Sequence, residues 1–402
     1  MNGAPSLSVV LATHNRRDVV LSTLRRLRAP GVLPAAHEII VVDNASADGT
    51  AAALAQHDVR AILLRRNRGA CAREYGLRAA GAPLILMLDD DSFPRPGCVE
   101  RLAEHFERHP RLAAASFLTH LPDGSQECSA LPHVFIGCGV GLRASALRAC
   151  GGLDLSFFMA AEEYDLSFKL LAGGWGVETF DDLHVEHLKS PAGRRSDRIA
   201  CYDVRNNLRV VARYLRGEHA TAYRHDWTLR YRWLAARHGH EAANARGERA
   251  GRLWAIIDSG TSARRLPPWA LEGVFGWSAI ERRLRALAGS GARRIVLADW
   301  GKNVYAFVRG ARAAGLEICA IADDRFAAPG RRYRGLPIVQ VDEALGLPVH
   351  AWVVSNTSFV HADATAAALR ARTPLPVLNW HGTARSDSLS AVRRSAALHA
   401  HG

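Results

Sequence analysis

Short apolar runs alternate with helical patterns through the first part of the chain, and this alternation is its most constraining sequence feature. The apolar runs predict strands over 7–13, 37–46, 60–66 and 83–91. The patterns between them predict helices over 18–27, 50–56 and 67–81. Strands that alternate with helices are typical of repeated βαβ units around a mainly parallel sheet. The sequence therefore predicts an α/β fold.

Polar residues stand at the end of each predicted strand. They are Thr13, Asp43, Asn67 and the run Asp89, Asp90 and Asp91. Parallel strands present their carboxyl ends at one edge of the sheet, where open α/β sheets bind ligands. We therefore expect these side chains to share a ligand-binding edge.

The three consecutive aspartates concentrate like charge at the end of an apolar strand, which is costly without a positive partner. A divalent cation, Mn²⁺ or Mg²⁺, would supply that charge and would accept phosphate oxygens as further ligands. The surrounding "DDDSFPRPG" is also typical of a solvated turn or helix N-cap. The residues alone leave both interpretations open.

The length of 402 residues is sufficient for two or three domains, and the 48% hydrophobic content is typical of a globular protein. The seven cysteines include no CxxC pair, which argues against a zinc ribbon or a disulfide framework and favours the cytoplasm. No apolar run reaches the roughly 18 residues of a spanning helix. No basic region precedes the first apolar run either, so we expect neither a membrane span nor a signal peptide.

The formal net charge is +13, carried almost entirely by arginine, since lysine occurs only at Lys169, Lys189 and Lys302. Such a charge fits an anionic partner, such as a phosphorylated substrate or an acidic membrane face. A skewed genomic base composition would give the same excess of arginine. No recognised nucleic-acid-binding motif is present, so we expect no nucleic acid partner.

The second half of the chain divides into two further regions. Residues 190–249 read as helices rich in Arg, Tyr and Trp, and 258–269 read as a linker. Residues 293–324 predict a strand, turn, helix and strand, and the following segments extend a small Rossmann-like α/β domain. We therefore predict domains at 1–215, 216–275 and 276–402, the middle one a helical extension.

Five motifs in order resemble the family 2 glycosyltransferases, enzymes of the GT-A nucleotide-sugar fold. They are "VVLATHNR", "EIIVVDNASADGT", "NRGACAREYGLRAAGAPLILMLDDDS", "GCGVGLRASALRACGGLDLSFFMAAEEYDLSFKLLAGGW" and "VEHLKS". The resemblance covers about 7–215. It implies an inverting transfer of sugar from a nucleotide-diphosphate donor to an acceptor, in polysaccharide or glycolipid synthesis.

The resemblance also implies roles for individual residues. The donor nucleotide would be bound by Thr13, Asn15, Asp43, Asn67, Arg73, Asp89 and Asp90. The divalent metal, Mn²⁺ or Mg²⁺, would be bound by Asp91 and His187, and an imidazole ligand suits Mn²⁺ better. The catalytic base would be Glu163, assisted by Glu162, and the acceptor side would include Asp165 and Arg205.

Structural alternatives accompany several of these assignments. Asp43 could close an Asx turn, and Arg73 could be an ordinary surface arginine of a helix. The acidic residues near Glu163 also suit the positive end of a helix dipole. Glu163 departs from the family, which generally has Asp at that position. The glycines of 137–141 would allow close approach of a substrate, or a bend in a strand.

The C-terminal region is similar to small Rossmann-like domains found in some sugar acyltransferases. Its first turn, "ADWGKNV", has only Gly301 where a dinucleotide fingerprint needs three glycines, although Asp323 or Asp324 follows at the distance of a ribose-binding acid. An NAD-dependent sugar-modifying oxidoreductase is therefore the alternative function. A structural, oligomerisation or regulatory role is favoured.

The expected partners are a nucleotide-sugar donor and a saccharide or lipid-linked acceptor. The helices of 205–233 could rest on an anionic membrane surface, which would place the protein at the inner face of the cytoplasmic membrane. A homo-oligomer is the remaining expectation. The transferred sugar, its nucleotide and the acceptor are left open by the sequence.

Overall fold

The computed structural model describes residues 4–189, 196–259 and 265–381. The chain divides into two units, one of Met1–Cys128 with His133–Leu266 and the other of Ser129–Pro132 with Pro267–Gly402. The helices within 217–259 thus group with the first unit, and the helix Pro268–Phe275 belongs to the second. The three domains drawn from the sequence stay a prediction.

The first unit is built on a sheet of nine strands within its described residues. These are β1 (Leu7–Thr13), β2 (His37–Asp43), β3 (Arg60–Leu63), β4 (Leu84–Asp89), β5 (Ser92–Pro94), β6 (Leu112–His120), β7 (Gln126–Glu127), β8 (Gly139–Arg143) and β9 (Gly176–His187). Their order is β3-β2-β1-β4-β8-β6-β9-β5, with β7 paired to β6.

Parallel pairing sets the edge of the sheet that carries the polar residues. Strand β1 pairs in parallel with β2 and β4, so Thr13 stands opposite Asp43 and Ala12 opposite Asp89. This register confirms that the predicted strand ends meet at one edge. The predicted strand 83–91 was too long, because the chain leaves β4 at Asp89 and turns before β5.

Helices cover the sheet and extend beyond it. In the first unit they are α1 (Arg17–Leu27), α2 (Thr50–Leu54), α3 (Arg73–Ala79), α4 (Cys98–Arg108), α5 (Ala144–Cys150), α6 (Glu162–Ala172), α7 (Asp197–Tyr214), α8 (Gly217–His238) and α9 (Glu241–Ser259), with a 3₁₀ turn at Gly69–Ala72. Helix α1 buries Val20, Leu24 and Leu27, which recur at helical spacing. The sheet strands between such helices are apolar on both faces, as β1 is.

Helix α7 is fixed by a buried network of ion pairs. Arg213 contacts Asp165 on α6 and Asp258 on α9, each at 2.7 Å, and Arg209 contacts Asp258 at 2.9 Å. Arg209 is fully buried. Buried charges are tolerated only when paired and hydrogen-bonded in this way.

The membrane-facing interpretation of 205–233 stays a prediction, and several of its side chains are not available for such a contact. Arg209, Arg213, Tyr214, Tyr223 and Trp227 are all buried within the packing of the first unit. Side chains that are enclosed by protein do not lie against a lipid surface. No helix in the described ranges has the length and apolar content needed to cross a membrane.

The second unit holds a smaller α/β arrangement. Its elements are α10 (Pro268–Phe275), α11 (Trp277–Gly289), β10 (Arg294–Ala298), α12 (Val304–Ala313), β11 (Glu317–Ala322), β12 (Arg332–Tyr333), β13 (Leu336–Val339), α13 (Val341–Leu345), β14 (Ala351–Val354), α14 (Phe359–Arg370) and β15 (Val377–Leu378). The strand order is β12-β13-β11-β10-β14-β15, and β10 is parallel to both neighbours. The part of the C-terminal region beyond residue 381 lies outside the described residues.

Gly301 and Asp323 stabilise the turn that follows β10. A Cβ on Gly301 would meet the carbonyl oxygen of Ser355 at 2.6 Å, so close loop packing requires glycine here. Asp323 accepts hydrogen bonds from the backbone of Trp300 and Arg325. The acid at ribose-binding distance therefore holds the turn, and its placement gives the NAD alternative no support.

Candidate active site

A cleft of about 720 Å³ opens at the carboxyl ends of β1 and β4. Its position is the one expected for ligand binding in an open α/β sheet. Eight of the residues predicted from the sequence or the resemblance line it: Thr13, Asn15, Asn67, Arg73, Asp89, Asp90, Asp91 and His187.

Asp89, Asp91 and His187 form a cluster in this cleft whose potential ligand atoms all lie within 4.8 Å of one another. The Nε2 atom of His187 lies 3.1 Å from Asp91 and 3.6 Å from Asp89. Antiparallel pairing of β5 with β9 places Ser92 opposite His187 and so brings the histidine to the aspartates. Two carboxylates and an imidazole are a suitable donor set for a divalent cation. The resemblance implied Asp91 and His187 as ligands, and the geometry adds Asp89.

Protonation links two members of this cluster. Burial disfavours the charged imidazole, but hydrogen bonds to Asp91 and Cys138 outweigh it and raise the pKa of His187 to about 10. Burial likewise disfavours the carboxylate of Asp91, yet His187 and Arg16 hold the pKa of Asp91 well below its usual range. The two residues therefore form an imidazolium–carboxylate pair at neutral pH.

Arg16 is a cleft residue that the sequence reasoning missed. Its guanidinium donates to Asp90 at 2.5 Å and to Asp91 at 2.8 Å, and 31% of its side chain is exposed. Arg16 directly precedes α1 and follows Asn15 in "THNR". A basic residue beside the polar residues at the end of β1 was the sequence signal that could have identified it. Arg16 is thus a reachable positive group beside the candidate metal ligands.

Asp90 is buried next to the cluster and holds the aspartate turn in place through hydrogen bonds. Its carboxylate accepts from Thr13 at 2.7 Å and from Arg16, and its backbone oxygen accepts from Thr23 on α1. Burial raises the pKa of Asp90 to about 6, against the opposing effect of Arg16. These bonds tie the aspartate turn to β1 and α1, so Asp90 and Thr13 have a clear positioning role.

Arg73 is enclosed rather than exposed. It donates to Asp89 at 2.6 Å and to the carbonyl oxygen of Gly137 at 3.2 Å, and only 9% of its side chain is exposed. A Cβ on Gly137 would meet the Arg73 guanidinium at 2.2 Å, so the glycine leaves space for this pairing. Arg73 therefore positions Asp89, and it is less accessible to a diphosphate than Arg16.

Glu162 and Glu163 begin α6 beside Arg73. Glu162 is buried and its Oε2 atom has no hydrogen-bond partner, whereas Glu163 is half-buried and interacts with the backbone of Gly137. Burial raises the pKa of both carboxyls, repulsion between the pair adds to the effect at Glu162, and Arg73 opposes it. A half-buried carboxyl with a raised pKa has the properties of a general base.

A strained loop leads into this acidic pair. Phe158, Ala160 and Ala161 have φ of 66°, 66° and 60°, a region that residues with side chains rarely adopt. Phe158 and Met159 from this loop line the cleft. The loop therefore connects the wall of the cleft to the start of α6.

Two adjacent residues of α7 hold this loop. The side-chain amide of Asn206 lies within 2.7–2.9 Å of the carbonyl oxygens of Phe157, Met159 and Ala160. Arg205 donates to the carbonyls of Ser156 and Phe157. Arg205 was expected on the acceptor side, and its described contacts are with this loop. Asn206 belongs to the same "RNN" sequence, but its role was not predicted.

The other predicted residues hold backbone turns or helices. Asn15 accepts from the backbone of Ala47, and Asn67 accepts from that of Gly69. Asp43 is buried and accepts from the backbone of Ser46, which is the Asx turn considered from the sequence.

Asp165 is also structural in its contacts, since it is fully buried between Lys169 and Arg213. The predicted residues that do not line the cleft are Asp43, Glu162, Glu163, Asp165 and Arg205. The structure therefore brings the predicted metal and diphosphate residues together. It separates Asp43 and Asp165 from the cleft.

Comparison with known proteins identifies a family for the part of the chain that supplies most of the cleft, including Asp89 and Asp91. Residues 8–131 match the family described as "Glycosyl transferase family 2". These residues form a family 2 glycosyltransferase domain. The match confirms the predicted family for this domain, and the two sheets confirm the predicted α/β fold class with a second α/β unit.

Curated relatives match part of this chain over part of their own length. The chain is 37% identical over 105 residues to the succinoglycan biosynthesis protein ExoO of Rhizobium meliloti (strain 1021), covering 25% of this chain and 29% of that protein. It is 31% identical over 104 residues to the uncharacterized glycosyltransferase YwdF of Bacillus subtilis (strain 168), covering 25% and 38%. The matched regions thus span well under half of these relatives.

A solved structure is similar at lower identity. The mannosyltransferase PcManGT from Pyrobaculum calidifontis, in complex with GDP-Man and Mn²⁺, aligns with a TM-score of 0.44 and 20% identity, covering 64% of this chain and 88% of that chain.

Proposed function

We propose that this chain is a metal-dependent inverting glycosyltransferase that moves a sugar from a nucleotide-diphosphate donor to an acceptor hydroxyl. The observation that carries the proposal is the cluster of Asp89, Asp91 and His187 in a large cleft, whose two aspartates belong to the family 2 domain. Its ligand atoms are already gathered, and the cleft is large enough for a nucleotide sugar.

The donor set fits a divalent cation, and its imidazole favours Mn²⁺ over Mg²⁺. Bound by Asp89, Asp91 and His187, the cation would stabilise negative charge on the diphosphate. Arg16 lines the same cleft with part of its guanidinium side chain exposed, so it would contact the diphosphate directly. Arg73 would act through Asp89, which it holds in place.

Glu163 would serve as the base. The acceptor oxygen forms a bond to the anomeric carbon while the bond from that carbon to the phosphate oxygen breaks, with inversion. The acceptor proton passes to a carboxylate oxygen of Glu163, and the nucleoside diphosphate leaves with the electron pair of the broken bond. Burial raises the pKa of Glu163, which makes its carboxylate a stronger proton acceptor than an exposed glutamate.

The acceptor belongs to the same proposal. A saccharide, or a saccharide linked to a lipid, offers the hydroxyl that this reaction needs. The role in succinoglycan biosynthesis that is named for ExoO supports a saccharide product. A lipid-linked acceptor would bring the protein to a membrane surface.

A thermal shift panel tests the donor site. UDP-, GDP-, dTDP- and CMP-sugars are added with and without Mn²⁺ to the wild type and to Asp91→Ala. We expect one nucleotide class to raise the melting temperature, only with metal and only in the wild type. Release of nucleoside diphosphate with the stabilising donor then tests transfer. If none of these nucleotides changes the melting temperature, the proposed donor site is wrong.

A further inference from the structure

Helix α9 presents one face to the protein and one face outward. It packs closely on α7 through Gly247 and Gly251. A Cβ on Gly247 would meet the carbonyl oxygen of Cys201 at 2.2 Å, and one on Gly251 would meet Cα of Arg205 at 3.1 Å. These contacts fix the rotation of the helix and therefore determine which residues lie on its outer face.

That outer face carries large apolar side chains. Leu253, Ile256 and Ile257 are 66%, 72% and 61% exposed. Their spacing of three and four residues places them on one side of the helix. Among the described residues the other exposed large hydrophobics are Leu63 and Leu188. An exposed apolar group of this kind indicates an interaction surface.

Arginines border the apolar residues. Arg246, Arg249 and Arg252 precede them at helical spacing and are exposed. Arg246 lies 3.7 Å from Asp197, and both side chains are more than half exposed, so this ion pair is weak. Arg252 lies 3.6 Å from Glu248, but the two oxygens of that carboxylate already accept from Arg232 at 2.6 Å. The surface formed by residues 246, 249, 252, 253, 256 and 257, here called the α9 face, is therefore apolar and positively charged.

We propose that the α9 face docks this protein on an anionic lipid bilayer. Aliphatic side chains would enter the boundary between headgroups and acyl chains, and the arginines would contact acidic headgroups. A second copy of the chain is a poorer partner, because a two-fold contact through this face would place arginines against arginines. The inference is independent of the proposed transfer reaction.

Vesicle co-sedimentation of the full chain tests this inference. The vesicles are phosphatidylcholine alone, or phosphatidylcholine with a third of phosphatidylglycerol, at low and high salt. We expect partitioning into the anionic vesicles that is stronger by tenfold or more and weakens with salt. No nucleotide or acceptor is needed, so this result does not depend on whether the transferase assignment holds.

Matched variants locate the contact. The double substitution of Leu253→Ser with Ile257→Ser should lower partitioning by about tenfold or more. Arg249→Glu should lower it by about tenfold, since it reverses one charge at the surface. Leu63→Ser is the control, because Leu63 is 60% exposed on β3 and lies outside the α9 face. Its partitioning should equal that of the wild type.

Several outcomes would overturn the inference. They are no binding to anionic vesicles, equal binding to neutral ones, or an equal loss in Leu63→Ser and in the α9 variants. Light scattering that shows a dimer broken by the α9 variants, with no vesicle binding, would assign the face to a second copy. Unchanged melting temperatures would exclude misfolding of the variants as the cause of lost binding.

Discussion

Arg16 donates to the Oδ2 atom of Asp91 at 2.8 Å, so an arginine pairs with an aspartate that is also a candidate metal ligand. The other oxygen of Asp91 lies 3.1 Å from His187. Positive groups on both sides hold this carboxylate ionised. The protein's own side chains thus hold Asp91 ionised and in position at the candidate metal site.

Substitution of Arg16 by Gln should separate metal binding from diphosphate binding. Loss of a cation beside Asp91 should tighten the binding of Mn²⁺ alone by about three- to tenfold, because metal and guanidinium repel. Binding of a nucleoside diphosphate with Mn²⁺ should weaken. Titration calorimetry measures both affinities. Arg17→Gln is the control, since Arg17 lines the cleft but pairs with Asp18. Weaker binding of Mn²⁺ by Arg16→Gln than by the wild type would contradict the prediction.

Metal binding should release a proton from His187. The pKa of this imidazole is about 10 in the metal-free protein, so it is protonated at pH 7, and only the neutral form ligates a metal. Raising the pH from 6 to 8 should therefore tighten Mn²⁺ binding, by up to about tenfold per pH unit. Asp91 adds little, because its lowered pKa keeps it ionised throughout this range.

Calorimetry in two buffers of different ionisation enthalpy counts the released protons. We expect about one per Mn²⁺ at pH 7 in the wild type. His187→Gln should bind Mn²⁺ more weakly and release none through this residue. An Mn²⁺ affinity that does not change with pH would contradict the assignment of His187 as a ligand.

Replacement of Glu163 by Gln should lower kcat by about 10²- to 10⁴-fold and leave donor affinity unchanged, since it leaves the candidate metal ligands and Arg16 in place. The base acts when deprotonated, and its pKa is raised, so activity should fall as pH drops through a value above the usual glutamate range.

The neighbour Glu162 offers a companion variant. Burial and repulsion from Glu163 raise the pKa of Glu162 well above its usual range, so Glu162 is protonated while Glu163 titrates. Glu162→Gln replaces a neutral acid by a neutral amide and should therefore leave the acidic limb of the rate profile nearly unchanged. Initial rates with the donor found in the thermal shift panel give these profiles. A larger loss of kcat in Glu162→Gln than in Glu163→Gln would assign the base to Glu162 instead.

Asn206→Ala should release the strained loop before α6. Its amide contacts three carbonyl oxygens of residues 157–160, and their loss should cost about 1–3 kcal/mol of unfolding free energy. Hydrogen exchange of the segment 157–163 should increase, and kcat should fall because Glu163 follows this loop directly.

Asn207→Ala is the matched control for this variant. Asn207 is also buried on α7, but its amide donates to the carbonyl oxygen of Asp203 and the hydroxyl of Tyr231 instead of to the loop. It should lose stability without faster exchange at 157–163. Equal exchange in the two variants would show that Asn206 has no specific effect on the loop.

The resemblance and the strand pattern located much of the cleft in advance. Strand ends can be predicted from local sequence, because apolar runs stop where the backbone leaves the sheet. Asp89 and Asp91 follow such a run, and the register of β1 with β4 places them at the expected edge. Local sequence does not reveal which groups compete for a carboxylate, so Asp43 and Asp165 were assigned to substrate although their described partners are protein groups.

The sequence by itself determined the α/β class, the polar edge of the sheet and the acidic start of α6, because each depends on residues close together in the chain. Tertiary structure alone decided that Arg16 pairs with Asp91, that Asn206 holds the loop before Glu162, and that α9 exposes Leu253. These contacts join residues far apart in sequence or depend on which helix face is covered. Their energies arise from packing and desolvation, which exist only once the chain has folded.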